Sequence, residues 1–73
     1  MDNILFKQIR LTLGLGQVEF AKLLGISASY VAMIDAERRA VSNNVENRVR
    51  EKVDAELIER VRELIDLRQS LGK

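Results

Sequence analysis

Few residues of this 73-residue chain have the types and spacing that catalysis requires. The sequence contains no Cys and no His, which excludes the usual zinc ligand sets and every nucleophile that depends on a histidine. Glu59 and Glu63 form a carboxylate pair four residues apart, but their neighbours predict a solvated helix face without a pocket. The sequence therefore predicts a binding protein that is not an enzyme and needs no metal or cofactor.

The distribution of charge indicates where such binding could occur. In a chain that is 32% charged, the segment SASYVAM, residues 27–33, carries no charge, and Arg38 and Arg39 follow it. The net charge is +1, whereas proteins that bind nucleic acid often carry a clear basic excess. Residues 38–52 nevertheless contain five cations and two anions, while residues 54–66 contain five acids and two arginines. The chain thus has a basic middle and an acidic tail.

The length and composition predict one small helical domain. A chain of 73 residues buries only about 60% of the surface that it exposes when unfolded, so its core must be compact. The absence of Pro and the abundance of Ala, Leu, Glu, Arg and Lys favour helix almost throughout. No apolar run is long enough to span a membrane, and the N-terminus lacks the order of a signal peptide. We therefore expect a cytoplasmic, all-α protein without a membrane partner.

The first helix is predicted to begin at a cap formed by Asn3 and to direct Phe6, Ile9 and Leu13 inward. Gly14 follows at the position where a left-handed residue commonly ends a helix. The segment GLG is therefore predicted to join two helices. A phosphate-binding glycine loop would need more glycines and a preceding strand.

Two short helices are predicted next, over residues 17–24 and from residue 28 onward. Gly25 ends the first of them and Ser27 caps the second, so that about three residues separate the helices. A short connection that contains a glycine is typical of a helix-turn-helix. A side chain larger than that of Ala21 would push the following helix away. The predicted inward residues of the two helices are Phe20, Ala21, Leu24, Val31 and Ile34.

A long helical region is predicted over residues 42–71, within which Asp54 is suited to cap a fresh helix after Val53. Apolar residues recur every four positions, at Val45, Val49, Val53, Leu57, Val61 and Ile65. Each step of four residues rotates the position by about 40°, which accumulates to roughly 200° over the series. Either the region bends near Val53 and Asp54 to keep both halves on one core, or its end leaves the domain and contacts a partner.

These helices resemble the helix-turn-helix of the Cro and phage-repressor type, also called the XRE family. The resemblance covers about residues 6–53, and the segment IRLTLGLGQ also looks like that family's first helix and joint. It implies a DNA-binding domain over residues 1–53, folded as a compact bundle of four or five helices. It further implies a transcriptional regulator of phage, plasmid or mobile-element type that reads an inverted-repeat operator in double-stranded DNA as a homodimer. Eight positions agree in type and spacing: Gln17, Phe20, Ala21, Leu24, Gly25, Ile26, Val31 and Ile34.

The resemblance also assigns individual residues. It implies a partly buried ion pair between Arg10 and Asp35, and it places the start of the third helix in the major groove, where phosphates would repel an acidic side chain. The implied base-reading residues are Gln17, Ser27, Ala28, Ser29, Tyr30 and Met33. The implied phosphate contacts are Arg38, Arg39, Asn43 and Asn44, with Lys7 and Arg48 as further candidates. Since no Arg or Lys stands at a base-reading position, we expect modest base discrimination and affinity drawn largely from phosphates and DNA shape.

Alternatives stay open at Tyr30, whose hydroxyl could bind a phosphate or whose ring could pack against Lys22 or Phe20. Glu37 occupies a position that is usually Gly in the family, and Val41 one that is often Pro. The third helix could then extend by a turn, which would move the arginines that follow it. Leu11, usually polar in the family, indicates an extra apolar contact.

Residues 54–73 are predicted to form an amphipathic helix, with Arg68 interrupting its apolar face. This helix either closes its own domain or joins two copies of the chain, and we favour dimerisation because a two-fold symmetric operator requires two reading heads. The predicted dimerisation residues are Leu57, Ile58, Val61, Leu64, Ile65 and Leu71.

Two other functions remain as alternatives. In an antitoxin-type regulator the apolar tail would hold a toxin. In an interaction adaptor the helices would serve only as a scaffold for another regulatory protein, which the low net charge permits.

Overall fold

The computed structural model describes residues 1–72, which form five α-helices and no β-strand. The helices are α1 (Asn3–Thr12), α2 (Gln17–Leu24), α3 (Ala28–Asp35), α4 (Asn43–Lys52) and α5 (Ala55–Leu71). α1 packs against α3 and α5, and α2 packs against α3 and α4. The prediction of a compact all-α bundle is therefore confirmed.

A single hydrophobic core joins all five helices. The rings of Phe6 and Phe20 lie at its centre, fully buried, with centroids 5.1 Å apart and planes inclined by 59°, within the range that aromatic pairs prefer. The five inward residues predicted for α2 and α3 are all buried. The complete core comprises Leu5, Phe6, Ile9, Phe20, Ala21, Leu24, Val31, Ile34, Val45, Val49, Val53, Ile58 and Val61.

The N-terminus of α1 differs from the prediction in the role of one residue. Asp2, rather than Asn3, caps the helix, because its carboxylate accepts a hydrogen bond from the backbone N–H of Leu5 at 2.7 Å. The side-chain amide of Asn3 instead donates to the backbone carbonyls of Ile34, at 2.9 Å, and Arg39, at 2.6 Å. Asn3 thus fastens α1 to the end of α3 and to the loop that follows.

The C-terminus of α1 confirms one prediction and corrects another. Gly14 adopts a left-handed conformation, with φ +71°, as its position after the helix predicted. Leu13 was predicted to face inward, but the helix ends at Thr12 and the side chain of Leu13 is 37% exposed. Leu11 is likewise exposed, so it adds no internal apolar contact.

The turn between α2 and α3 is fixed at both ends. Gly25 has φ +72°, and a Cβ at this position would lie 2.9 Å from Nη1 of Arg48. That nitrogen donates to the carbonyl of Leu24 at 3.1 Å, so Arg48 satisfies one of the free carbonyls at the end of α2. Ser27 caps α3 as predicted, since its hydroxyl accepts from the N–H of Tyr30 at 3.1 Å.

The end of α3 shows why a glycine is not required there. The helix stops at Asp35, and Glu37 takes the left-handed conformation itself, with φ +60°. The N–H of Arg38 then donates back to the carbonyl of Met33 at 2.8 Å. The extension of α3 by a turn, considered from the sequence, therefore does not occur. The strain at Glu37 is about 1–2 kcal/mol, the usual cost of left-handed backbone in a residue with a Cβ.

The region 42–71 breaks near Val53 and Asp54, which is one of the two alternatives that its apolar spacing left open. Val53 is extended, with φ −115° and ψ 136°, and the carboxylate of Asp54 caps α5 by accepting from the N–H of Glu56 at 2.9 Å. The side chain of Val53 remains buried in the core between the two helices. The break lets α4 and the start of α5 contact the same core.

This packing corrects part of the predicted dimer surface. Ile58 is 1% exposed and Val61 is 4% exposed, both within the core of their own chain, and Leu57 and Ile65 pack partly against it. Ile58 and Val61 were therefore wrong as dimerisation residues, because no partner can reach them. The first half of α5 thus packs on the same core as the other four helices. Within residues 1–72, no helix is long and apolar enough to cross a membrane.

Candidate nucleic-acid interface

The outward face of α3 is free of charge. Ser29 lies on the side of the helix opposite the buried Val31 and Ile34 and is exposed, and Met33 lies beside it, half-buried. Two of the predicted base-reading residues serve the fold as well: the hydroxyl of Ser27 caps the helix, and Ala28 packs partly against the core. Side chains that are short or flexible allow a helix backbone to approach a neighbouring surface closely.

Two residues of this face were missed from the sequence. Ala32 and Ala36 follow Ser29 at intervals of three and seven residues, so they share its side of the helix. Ala32 is half-buried and Ala36 is exposed. The spacing of the buried residues Val31 and Ile34 contained this signal, since it fixes which side of α3 faces outward. The face is thus formed by Ser29, Ala32, Met33 and Ala36.

The single acid of α3 is neutralised within the domain. Nη2 of Arg10 lies 2.8 Å from Oδ2 of Asp35, with both side chains less than a tenth exposed. The ion pair that the resemblance implied is therefore present. Nη1 of Arg10 also donates to the carbonyl of Leu15 at 2.9 Å, which fixes the guanidinium against the joint between α1 and α2. Asp35 contributes no free negative charge to the α3 surface.

Asp35 also orients Gln17, the first residue of α2. Nε2 of Gln17 donates to Oδ2 of Asp35 at 3.1 Å. The amide nitrogen carries two hydrogens, so one hydrogen and the Oε1 acceptor remain for another partner. Arg10, Asp35 and Gln17 form a chain of contacts that leads from the interior to the surface at the junction of α2 and α3.

The loop after α3 carries two exposed arginines, of which one is held in place. The guanidinium carbon of Arg39 lies 5.5 Å from the ring centroid of Tyr30, a cation–π contact. Tyr30 is half-buried and packs against the core. The ring of Tyr30 thus packs between Arg39 and the core. Arg38 is exposed next to it.

The start of α4 adds polar groups beside this loop. Asn43 and Asn44 are exposed in the first turn, and the hydroxyl of Ser42 caps the helix by accepting from the N–H of Val45 at 3.2 Å. Glu46, the acid of this turn, is paired with the N-terminal ammonium group and with Nε of Arg50 at 3.0 Å. The ammonium group and then Arg50 lower the pKa of Glu46 below its usual value. The negative charge near the start of α4 is thus largely compensated.

The two further candidates for phosphate contacts have different positions. Arg48 is half-buried, and Nη1 of its guanidinium donates to the carbonyl of Leu24 at 3.1 Å. Its function is to hold the end of α2. Lys7 is exposed on α1, where it lines a small depression together with Asn3 and Glu37.

Comparison with known proteins gives no relative for this arrangement. No protein-family model, no curated protein and no solved structure matches the chain significantly. The function of the α3 surface is therefore inferred from the residues that form it.

Proposed function

We propose that this protein is a sequence-specific, double-stranded-DNA-binding transcriptional regulator of the XRE type, which places α3 in the major groove. The observation that carries the proposal is the outward face of α3, whose side chains are uncharged. Asp35, the one acid of the helix, is paired with Arg10 inside the domain. Exposed arginines follow the same helix. A surface of this kind suits the floor of a groove that has phosphates on both rims.

The dimensions and chemistry of α3 favour this assignment. A major groove about 12 Å wide admits one α-helix. Ala32 and Ala36 let the helix backbone approach base edges, Ser29 can donate or accept a hydrogen bond, and Met33 can contact a thymine methyl group. An acidic residue on this face would meet the phosphates, and none of the four residues is acidic.

Gln17 is the polar reader in this arrangement. Its free amide hydrogen and Oε1 can bind N7 and N6 of adenine, while the second hydrogen stays on Asp35. Asp35 and Arg10 act as positioning residues, since they determine the direction of the Gln17 amide without touching the base.

Affinity would come mainly from the phosphates. Arg38, Arg39, Asn43 and Asn44 are all exposed around the loop that leads from α3 to α4. Each phosphate that an arginine neutralises releases counterions and steepens the dependence of binding on salt. With no cation at a base-reading position, part of the sequence preference would come from DNA shape.

The experiment that tests the proposal is selection of bound duplexes from a random DNA pool at near-physiological salt, followed by sequencing. Enrichment of a defined half-site, present as an inverted repeat, is the expected result. Failure to enrich any sequence, by protein with a helical circular dichroism spectrum and a cooperative unfolding transition, would overturn the proposal and leave a protein-binding adaptor as the better reading.

Two matched pairs of variants test whether the α3 face and the loop that follows it contact the DNA. Ser29→Glu adds one negative charge to the face of α3 and should weaken binding to the selected duplex at least about tenfold, because like charges at an interface cost more than about 1.4 kcal/mol. Gln69→Glu adds the same charge at an exposed position of α5 and should leave binding almost unchanged.

The second pair tests the phosphate contacts. Arg38→Ala should reduce the slope of log affinity against log salt by about 1, whereas Arg62→Ala, at an exposed arginine of α5, should not change it. Equal effects of both arginines would show that only the net charge of the protein matters.

A further inference from the structure

The last two turns of α5 leave a row of leucines uncovered. Leu64, Leu67 and Leu71 are 59%, 54% and 77% exposed, and their spacing of three and four residues places them in one stripe. At about 100° per residue, this stripe lies about 120° around the helix from the face that carries Ile58, Val61 and Ile65. α5 therefore has two apolar faces, of which one packs on the domain and the other has no cover within residues 1–72.

The charged residues beside the stripe are complementary to a second copy of the same stripe. With Leu64 and Leu71 at a positions of a heptad and Leu67 at d, Glu63 occupies g and Arg68 occupies e. In a parallel pair of helices, each g residue lies beside the e residue five positions further along the other helix. Glu63 of each copy would then face Arg68 of the other, giving two ion pairs by symmetry.

An antiparallel pair lacks this match. There g residues face g residues and e residues face e residues, so Glu63 would meet the uncharged Ser70 and Arg68 would meet the buried Val61. Arg68 therefore flanks the stripe. The sequence had suggested instead that Arg68 interrupts the apolar face. Arg60, at the preceding d position, ends the seam, because two arginines would oppose each other there.

We propose that a second copy of this chain pairs in parallel with the segment 64–71 of α5, with Glu63 and Arg68 joined across the seam. The inference deepens the proposed function, on which it rests for its biological meaning, by supplying the two-fold axis that an inverted-repeat operator requires. The seam spans about one heptad and is smaller than a standard stable interface. The dimer is therefore weak, and its population rises with protein concentration.

The pairing is measured by sedimentation equilibrium of the full chain without DNA, over a range of concentrations. The unmodified protein should shift from monomer to dimer, and Leu67→Asp should abolish the shift. Glu63→Arg should weaken the dimer on the order of tenfold, since it replaces two attractions by two repulsions. Adding Arg68→Glu to Glu63→Arg should restore it, whereas Glu59→Arg, the same change of charge outside the seam, should have little effect.

The direction of the helices is tested by cross-linking, for which the absence of native cysteine is an advantage. In a parallel pair, residue 67 of one copy faces residue 67 of the other, within the Cα separation of about 4.4–6.8 Å that a disulfide spans. Leu67→Cys should therefore give a covalent dimer under mild oxidation, and Glu59→Cys should not.

Three results would overturn the inference. These are a monomer at every concentration, association that survives Leu67→Asp, and preferential cross-linking of Leu67→Cys to Leu64→Cys, which indicates an antiparallel pair. The result is separable from that of DNA binding. Pairing without duplex enrichment would retain the proposed dimer and reject the proposed regulator. Enrichment of single half-sites by a monomer would retain the regulator and reject the dimer.

Discussion

The outward face of α3 and the final two turns of α5 differ in the size of their side chains and in the charges beside them. The α3 face consists of small or flexible uncharged residues, and the charges that follow it are the exposed acid Glu37 and the exposed cations Arg38 and Arg39. The α5 stripe consists of large leucines between an acid and a base, Glu63 and Arg68. The first combination suits the proposed contact with the major groove of DNA. The second suits the proposed contact with the same stripe of a second copy of the chain. Exposure alone does not distinguish the two, because both lie in contact with solvent.

The support beneath the two surfaces differs as well. α3 is fixed by the turn at Gly25, by the Asn3 contacts at its end and by the buried pair of Arg10 and Asp35. α5 is supported mainly by Ile58 and Val61, which lie in the core, and by Ile65, which packs partly against it. The proposed reading surface is therefore held by long-range contacts, whereas the proposed dimer surface is an extension of one helix.

The largest effect is expected from breaking the support of α3. Arg10→Ala leaves the carboxylate of Asp35 buried without its cationic partner, with the amide of Gln17 as its remaining donor, and loss of one member of a buried pair costs about 3–5 kcal/mol. Urea unfolding followed by circular dichroism measures the change. Arg62→Ala, at an exposed arginine, provides the matched control and should shift stability by less than about 0.5 kcal/mol. A loss below about 1 kcal/mol in Arg10→Ala would mean that Asp35 finds water or another donor.

The two halves of α5 should respond differently to truncation. Ile58→Ala creates a cavity in the core and should destabilise the protein by about 2–5 kcal/mol. Leu67→Ala, on the exposed stripe, should change the stability of the monomer by less than about 0.5 kcal/mol while weakening self-association. Thermal unfolding of both variants, at a concentration where the unmodified protein is monomeric, measures these two changes in monomer stability. Equal losses at both positions would contradict the assignment of two faces to α5.

A stabilising change is expected at the end of α3. Glu37→Gly relieves the left-handed strain at φ +60°, and after the greater unfolded-state entropy of glycine the net gain should be roughly 0.5–1 kcal/mol. Glu51→Gly, inside α4, should instead lose about 1 kcal/mol. Denaturant titration of both variants provides the measurement. Removal of this acid should leave DNA affinity equal or higher, since Glu37 lies next to the two arginines.

The smallest effect concerns the acid at the start of α4. Because the folded pKa of Glu46 is lowered, its stabilising contribution is fully present above the ordinary value of 4.5 and is lost as pH falls through the lowered pKa. The melting temperature of Glu46→Gln should therefore lie below that of the unmodified protein at neutral pH and converge with it in acid. Glu51→Gln, at an exposed acid of the same helix, should show no such convergence. A constant difference at all pH values would show that the ion pairs of Glu46 do not stabilise the fold.

Local sequence features predicted the part of the fold that positions α3. Gly25 permits the left-handed end of α2, Ser27 caps α3, and the spacing of Val31 and Ile34 defines its inward side. For residues 42–71, the four-residue spacing of apolar positions left open a break near Val53 and Asp54 or a helix end that leaves the domain. The structure has the break, and Asp54 caps α5 as its residue type suggested. Each of these features depends on residues within a few positions of one another, where the chain geometry leaves few alternatives.

Contacts between distant residues escaped prediction from the sequence. Asn3 resembled a helix cap, but the carbonyls that it binds belong to Ile34 and Arg39. Arg48 resembled a surface cation, but the carbonyl that it binds lies at the end of α2. Glu37 resembled an obstacle to the end of a helix, but contacts on either side hold it in the left-handed region. For Asn3 and Arg48 a partner more than twenty residues away decided the outcome, whereas Glu37 is held by hydrogen bonds to the last turn of α3.

The sequence by itself determined that the protein is helical, where α2 begins and ends, where α3 begins, and that the uncharged start of α3 precedes a loop with two arginines. Periodicity, capping and glycine conformation are local properties, and 73 residues leave little room for other helix arrangements. Only the tertiary structure decided which apolar residues of α5 belong to the core and which remain for a partner. Periodicity shows that a helix has apolar faces, but the neighbour that covers each face depends on how the whole chain packs.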